Sequence, residues 1–200
     1  MGNRGFLVCI EGLDKSGKTT QSRILVRNLN RMGFKASYTS EPSRGEVGRL
    51  IRTYILRRRR RVPSVIEALL FAADRYDHSE RKIKPMLQEG VLVVSDRYVY
   101  SSIAYQGAAG LDLDWIREIN RFSPVPDLAI YIDVPLEVLA ERIKSNRSVM
   151  ERMKTQRAVR NIYMMLVRRG ELVRVDGNKP VNEVSRSILD LVLSRLKLRC

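Results

Sequence analysis

The run Gly12-Leu13-Asp14-Lys15-Ser16-Gly17-Lys18-Thr19-Thr20 constrains this chain more than any other part of it. It fits the pattern G-x-x-x-x-G-K-[ST], follows the apolar stretch Phe6 to Ile10, and opens an amphipathic segment. Its glycines let successive backbone N–H groups turn inward, forming an anion nest at a helix N-terminus. In such a loop Lys18 reaches the β- and γ-phosphates of a nucleoside triphosphate, and the Thr19 hydroxyl holds Mg²⁺. Gly12, Leu13, Asp14, Lys15, Ser16, Gly17, Lys18, Thr19 and Thr20 are therefore the expected nucleoside-triphosphate-binding residues.

Strand-like runs alternate with helical ones along the whole chain. The expected strands are Gly5 to Glu11, Lys35 to Ser40, Val91 to Ser95, Leu128 to Val134 and Leu172 to Asp176. The expected helices are Thr20 to Met32, Gly45 to Arg60, Ser64 to Glu89, Leu113 to Asn120, Leu136 to Lys144, Met150 to Arg169 and Asn182 to Leu196. Ser64 reads as an N-cap and Gly90 as the stop of its helix. Five strands separated by helices predict an α/β fold with a doubly wound parallel sheet, whose ligands sit at the C-terminal strand ends. No repeat or linker interrupts residues 1–200, so one domain is expected.

Composition narrows the class. A hydrophobic content of 44% over 200 residues builds a full core, and no apolar run approaches the roughly 20 residues of a membrane span. No signal peptide precedes the phosphate loop, and Cys9 and Cys200 make neither a metal set nor a disulfide framework, so a reducing cytoplasm is expected. The net charge of +15 suits an enzyme of polyanionic substrates or a nucleic-acid binder. Its densest run, Arg57 to Arg61, precedes Val62-Pro63 and reads as a solvated helix end. No zinc-finger, helix-turn-helix or aromatic RNA-binding signature accompanies it, so nucleic acid is not an expected partner.

At the tip of the apolar strand Val91 to Ser95 stand Asp96, Arg97 and Tyr98. An acid there can hold Mg²⁺ through water, and an arginine can grip a transferring phosphate bidentately. These residues belong to DRYVYSSIAYQG (Asp96 to Gly107), which resembles thymidylate kinases, as do LLFAADR (Leu69 to Arg75), PDLAIYIDVP (Pro126 to Pro135), TSEP (Thr39 to Pro42) and VRNIY (Val159 to Tyr163). Order and spacing match across nearly the whole chain.

The resemblance implies a P-loop NTPase fold with a short mobile lid at about 144–154, and transfer of the ATP γ-phosphate to dTMP with Mg²⁺. It implies that Phe71 stacks on thymine, Arg75 donates to a thymine carbonyl, and Tyr105 packs beneath a deoxyribose. Ser102 would lie next to the base, leaving the ring-nitrogen contact to water or Gln106. Arg97 and Arg44 or Arg49 would hold the acceptor phosphate, and Asp14 would contact the acceptor sugar or its metal environment. Glu41, Tyr98, Ser101 and the lid's Glu151 complete the implied substrate set, with Thr19 and Asp96 at the metal. Members supply positive charge to the migrating group from the phosphate loop or from the lid. Here Lys15 stands where loop-type members usually show arginine, and the lid lacks the usual Asp-Arg pair before Met150-Glu151. Lys15 is accordingly the expected main charge donor beside Lys18 and Arg97, with Arg147 secondary. The family's homodimer would use the apolar faces near Ile66 to Phe71 and Ile103 to Ala109.

Read without the family, Phe71 on a helical face is a core residue, and the lone His78 a surface residue with no catalytic role. A broader pyrimidine nucleotide kinase, a deoxynucleoside kinase and a nucleotide-dependent nucleic-acid-binding protein also fit the phosphate loop. The isomer of Glu41-Pro42 stays open at this point.

Overall fold

The computed structural model describes residues 4–56, 62–142 and 153–198. Five parallel strands form one sheet: β1 (Phe6–Gly12), β2 (Ala36–Ser40), β3 (Leu92–Asp96), β4 (Leu128–Asp133) and β5 (Val173–Asp176). Their spatial order is β2-β3-β1-β4-β5, with Ile10 opposite Asp96 and Gly12 opposite Ile132. The expected P-loop fold with its parallel sheet is what the chain adopts. β1, β3 and β4 are buried along their full length, which explains the apolar runs at 6–10, 92–94 and 128–132 within them. Cys9 lies at the centre of β1, fully buried and free of any disulfide.

Helices flank both faces. They are α1 (Lys18–Arg31), α2 (Glu46–Ile51), α3 (Ser64–His78), α4 (Lys84–Gln88), α5 (Val99–Ala108), α6 (Leu113–Glu118), α7 (Leu136–Arg142), α8 (Met153–Arg168) and α9 (Val181–Lys197). Most lie within a few residues of their expected positions, but four differences are informative. The expected helix Ser64 to Glu89 is divided by a wider π-type turn over Ser79–Ile83, just before Pro85. Proline has no N–H to give the preceding turn, and widening the helix there absorbs the missing bond. Ser64 is not a cap: it is the first helical residue, and Pro63 occupies the cap position without a side-chain bond. The expected helix Gly45 to Arg60 is regular only to Ile51 and continues as a π-type turn to Leu56, while the Arg57 to Arg61 run lies outside the described residues.

The fourth difference is α5, a helix that the sequence does not announce. Val99, Tyr100, Ser101 and Ser102 are modest helix formers, and Tyr98 offers no side-chain cap. Its cap comes from Glu11 at the end of β1, which accepts the N–H groups of Tyr98 (2.8 Å) and Ser101 (3.2 Å). α8 then packs on α5, and the Tyr163 ring stacks on Tyr131 with centroids 4.7 Å apart. Asp133, at the end of β4, accepts from Arg160 at 2.9 and 3.0 Å and from Arg174 at 2.8 Å, which ties α8 and β5 to the sheet. No helix among the described residues is long and apolar enough to cross a membrane.

The start of β1 tests how tightly the layers close. A Cβ added at Gly5 would fall 2.8 Å from Leu87 Cα and closer still to the Val91 carbonyl oxygen, both backbone atoms that cannot swing away. The Gly5→Ala variant is therefore expected to lose about 1–3 kcal/mol of stability. A lower denaturant midpoint at unchanged slope would show it.

Candidate active site

β1 delivers the chain into the phosphate loop, where Gly12 and Gly17 take φ of 153° and 95°. A side chain at Gly12 would meet the Ile132 carbonyl oxygen at 2.8 Å, so only glycine lets the loop cross β4 this closely. Lys15, at the exposed tip, takes φ of 67°, a left-handed conformation uncommon for a residue with a side chain. Lys18 is buried beneath the loop and donates to the Leu13 carbonyl at 2.6 Å. Burial, helped by the nearby Arg97 charge, lowers its pKa to about 8. Thr19 Oγ1 lies 2.5 Å from Asp96 Oδ2, and Tyr38 donates to the same oxygen at 3.3 Å. A hydroxyl from the first turn of α1 and a carboxylate from the end of β3 thus meet beside the loop.

Asp96 is followed by Arg97, whose φ of 71° turns its side chain away from the strand direction. The guanidinium pairs with Asp14 of the phosphate loop and donates to Ser101 Oγ at 3.1 Å. Ser101 in turn donates to Glu11 Oε2 at 2.6 Å, and Tyr163 donates to that oxygen at 3.0 Å. Burial raises the Glu11 pKa, while hydrogen bonds from Ser101 and Tyr163 and the Arg97 charge oppose the rise.

Next to this bridge opens a cavity of about 300 Å³ lined by Asp14, Glu41, Pro42, Leu56, Phe71, Arg75, Arg97, Ser101, Ser102, Tyr105 and Gln106. Arg75 is held on several sides. Nη1 donates to Asn120 Oδ1 at 2.5 Å, and Nη2 donates to the Tyr98 carbonyl and Ser102 Oγ, both at 3.1 Å. Nη2 also lies 2.8 Å from Glu41 Oε2, an ion pair off the hydrogen-bonding angle. Four buried atoms of the lining residues have no hydrogen-bond partner: Glu41 Oε2, the Tyr105 hydroxyl, Arg75 Nε, which is a donor, and Gln106 Oε1, an acceptor. Orphans of this kind cost about 1–3 kcal/mol each. Tyr105 presents its ring to Arg97 at 5.1 Å, and its buried hydroxyl makes no hydrogen bond of good geometry.

The fold thus gathers most of the expected residues at the C-terminal strand ends. Tyr98 is buried and contributes its carbonyl to Arg75 rather than its ring to the cavity. Ser102 acts on Arg75, a contact the sequence did not suggest. Arg44 and Arg49 are not brought into the cavity: Arg44 is exposed and lines a neighbouring cleft, and Arg49 points to Glu46 at 3.9 Å. Arg147 and Glu151 lie outside the described residues. His78 corrects the expectation of a surface residue. It is 5% exposed, with Nε2 2.6 Å from Thr39 Oγ1 and Nδ1 3.3 Å from Glu41 Oε1, side chains from the end of β2 and the turn after it. Glu41-Pro42 is cis. Sequence reasoning missed Glu11, although an acid inside the apolar run Phe6 to Gly12 is itself a signal. It also missed Asn120 and the Asp74 carboxylate that holds Ser43 at 2.5 and 2.7 Å, neither of which any motif marks.

A phosphate loop facing a separate acceptor cavity across an arginine bridge defines a P-loop nucleotide kinase. Comparison with known proteins narrows this class. The thymidylate kinase family model matches residues 10–188. A probable thymidylate kinase of Pyrococcus abyssi is 41% identical, with 96% of this chain and 98% of the relative aligned. One from Caldivirga maquilingensis is 38% identical over 98% and 97% of the two chains. The solved thymidylate kinase of Candida albicans superposes with a TM-score of 0.86 at 26% identity, covering 97% of this chain and 93% of that one. The chain belongs to the thymidylate kinase family and is a kinase.

The Lys18 environment makes a pH-dependent prediction. With its pKa near 8 the amine is about half neutral at pH 8, and phosphate anions in the loop restore the charged form. Calorimetry of ATP binding at pH 8, in buffers of differing ionisation enthalpy, is expected to give uptake of about half a proton per site. The uptake disappears in Lys18→Arg. No uptake in the unaltered protein would mean that Lys18 is charged throughout.

Proposed function

We propose that this chain transfers the γ-phosphoryl group of ATP to the phosphate of dTMP, giving dTDP and ADP for dTTP synthesis. The observation that carries the base reading is that Arg75 and Gln106, each with an unpartnered buried atom, both line the cavity. Thymine offers a carbonyl beside a ring N–H, the complement of the Arg75 Nε donor and the Gln106 Oε1 acceptor. Cytosine offers an amino group beside a lone pair and mismatches both. Phe71 supplies the stacking surface and Tyr105 the floor beneath the sugar.

In this reading the loop amides and Lys18 hold the donor phosphates. Thr19 and Asp96 suit Mg²⁺, which takes hard oxygen ligands from one or two protein groups and the remainder from phosphates and water. Bound there, the ion would neutralise charge on the donor phosphates. Arg97, fixed between Asp14 and Ser101, orients the acceptor phosphate for in-line attack. The attacking oxygen is already ionised, so no general base is needed. Lys15 at the loop tip supplies charge to the migrating group, with Arg147 of the 144–154 lid secondary. We further read residues 1–200 as one cytoplasmic domain that forms homodimers. The exposed Leu50, Val65, Ile66 and Leu69 form the apolar face, whereas Ile103 is spent on the core.

A coupled assay of ADP release tests the reading, with dTMP, dUMP, UMP, dCMP, dAMP, dGMP and thymidine as acceptors. Preference for dTMP with dUMP second is expected, and a flat profile or activity on thymidine alone would overturn it. In the same assay Lys15→Ala is expected to lower kcat about 100-fold or more, with the KM for dTMP nearly unchanged and Arg147→Ala milder. A larger effect for Arg147→Ala would move the charge donor to the lid.

A further inference from the structure

The two ends of a glutamine amide are almost the same shape, and a half-turn exchanges donor for acceptor. A free Gln106 could therefore meet a thymine N–H with its oxygen or a cytosine ring nitrogen with its nitrogen. Glu67 removes that freedom. It stands on α3 one turn before Phe71, is 2% exposed, and lies behind Gln106 rather than in the cavity lining. Its Oε1 accepts from Gln106 Nε2 at 2.9 Å, in a contact where both side chains are buried. Oε1 is the acceptor in this contact, so flipping the amide would set oxygen against oxygen at that distance without solvent to intervene. The held amide leaves Oε1 as its unpartnered end.

We propose that Glu67 is the positioning residue for base selection: it fixes the Gln106 amide so that the site accepts a pyrimidine N3–H and rejects a ring nitrogen lone pair. The helical turn that places the Phe71 stacking surface also places the group that sets the polarity of the base reader. This inference rests on the thymine reading of the cavity and adds to it a residue that never touches the base.

The test measures kcat/KM for dTMP and dCMP with the unaltered enzyme, E67Q, and the exchanged pair E67Q/Q106E, each first checked for a cooperative melt. In E67Q two amides face one another and either orientation is satisfied. The dTMP:dCMP ratio is expected to fall about tenfold or more through KM, with kcat on dTMP changing little. In the exchanged pair the amide now on α3 donates to the carboxylate now on α5, whose other oxygen still accepts, and the ratio returns towards its original value. If Glu67 only supports the fold, activity on both substrates falls together and the ratio stays put, which overturns the proposal. A lack of dTMP preference in the unaltered enzyme would instead overturn the thymine reading, and this inference with it. Should E67Q fail to fold, Glu67→Ala takes its place: a dTMP:dCMP ratio about tenfold or more lower is expected, and an unchanged ratio refutes the lock.

Discussion

The structure depends on one buried carboxylate. Glu11 is the next-to-last residue of the central strand, and its two oxygens take hydrogen bonds from the Tyr98 and Ser101 backbones, the Ser101 hydroxyl and the Tyr163 phenol. It thereby starts α5, stations Ser101 beside Arg97, and anchors α8. Each of those bonds favours an ionised carboxylate that burial opposes. The balance is resolved by placing the charge at a helix N-terminus, where exposed amides and the helix dipole welcome it. One side chain thus sets the spacing between the donor loop on β1 and the acceptor groups on α5.

The acceptor cavity is built on the same logic of charges held before any ligand arrives. Arg75 is fully enclosed, and Glu41, Asn120, Ser102 and the Tyr98 carbonyl fix its plane. Glu41 is steadied by His78, and His78 by Thr39. Such a network costs desolvation and gives back a guanidinium that need not reorganise on binding. The left-handed backbones of Lys15 and Arg97 belong to the same pattern, with local strain accepted where direction matters.

Much of this was legible in the sequence. The phosphate loop, the five strands and the burial of β1, β3 and β4 follow from a spaced motif and unbroken apolar runs, signals that tertiary context seldom reverses. What escaped depends on distant partners. α5 was not legible because its cap lies 87 residues away in the chain. His78 looked like a surface residue because nothing local reveals that the end of β2 covers it. Phe71 shows the limit of periodicity: an apolar residue on a helix face lines a core or a cavity with the same spacing, and only the family resemblance separated the two. Arg44 and Arg49 were drawn towards the acceptor phosphate by charge and position in sequence, and the fold gives them other surroundings.

Cys9 sits at the midpoint of β1, between β3 and β4, with no exposed surface. Burial, and after it the neighbouring Glu11 charge, pushes its thiol well above the usual range, so it is both sheltered and weakly nucleophilic while the sheet is closed. A reagent reaches this sulfur only when the middle of the sheet parts. The rate at which Cys9 is modified is therefore a clock for opening of the central strand, the one that carries the phosphate loop at its end.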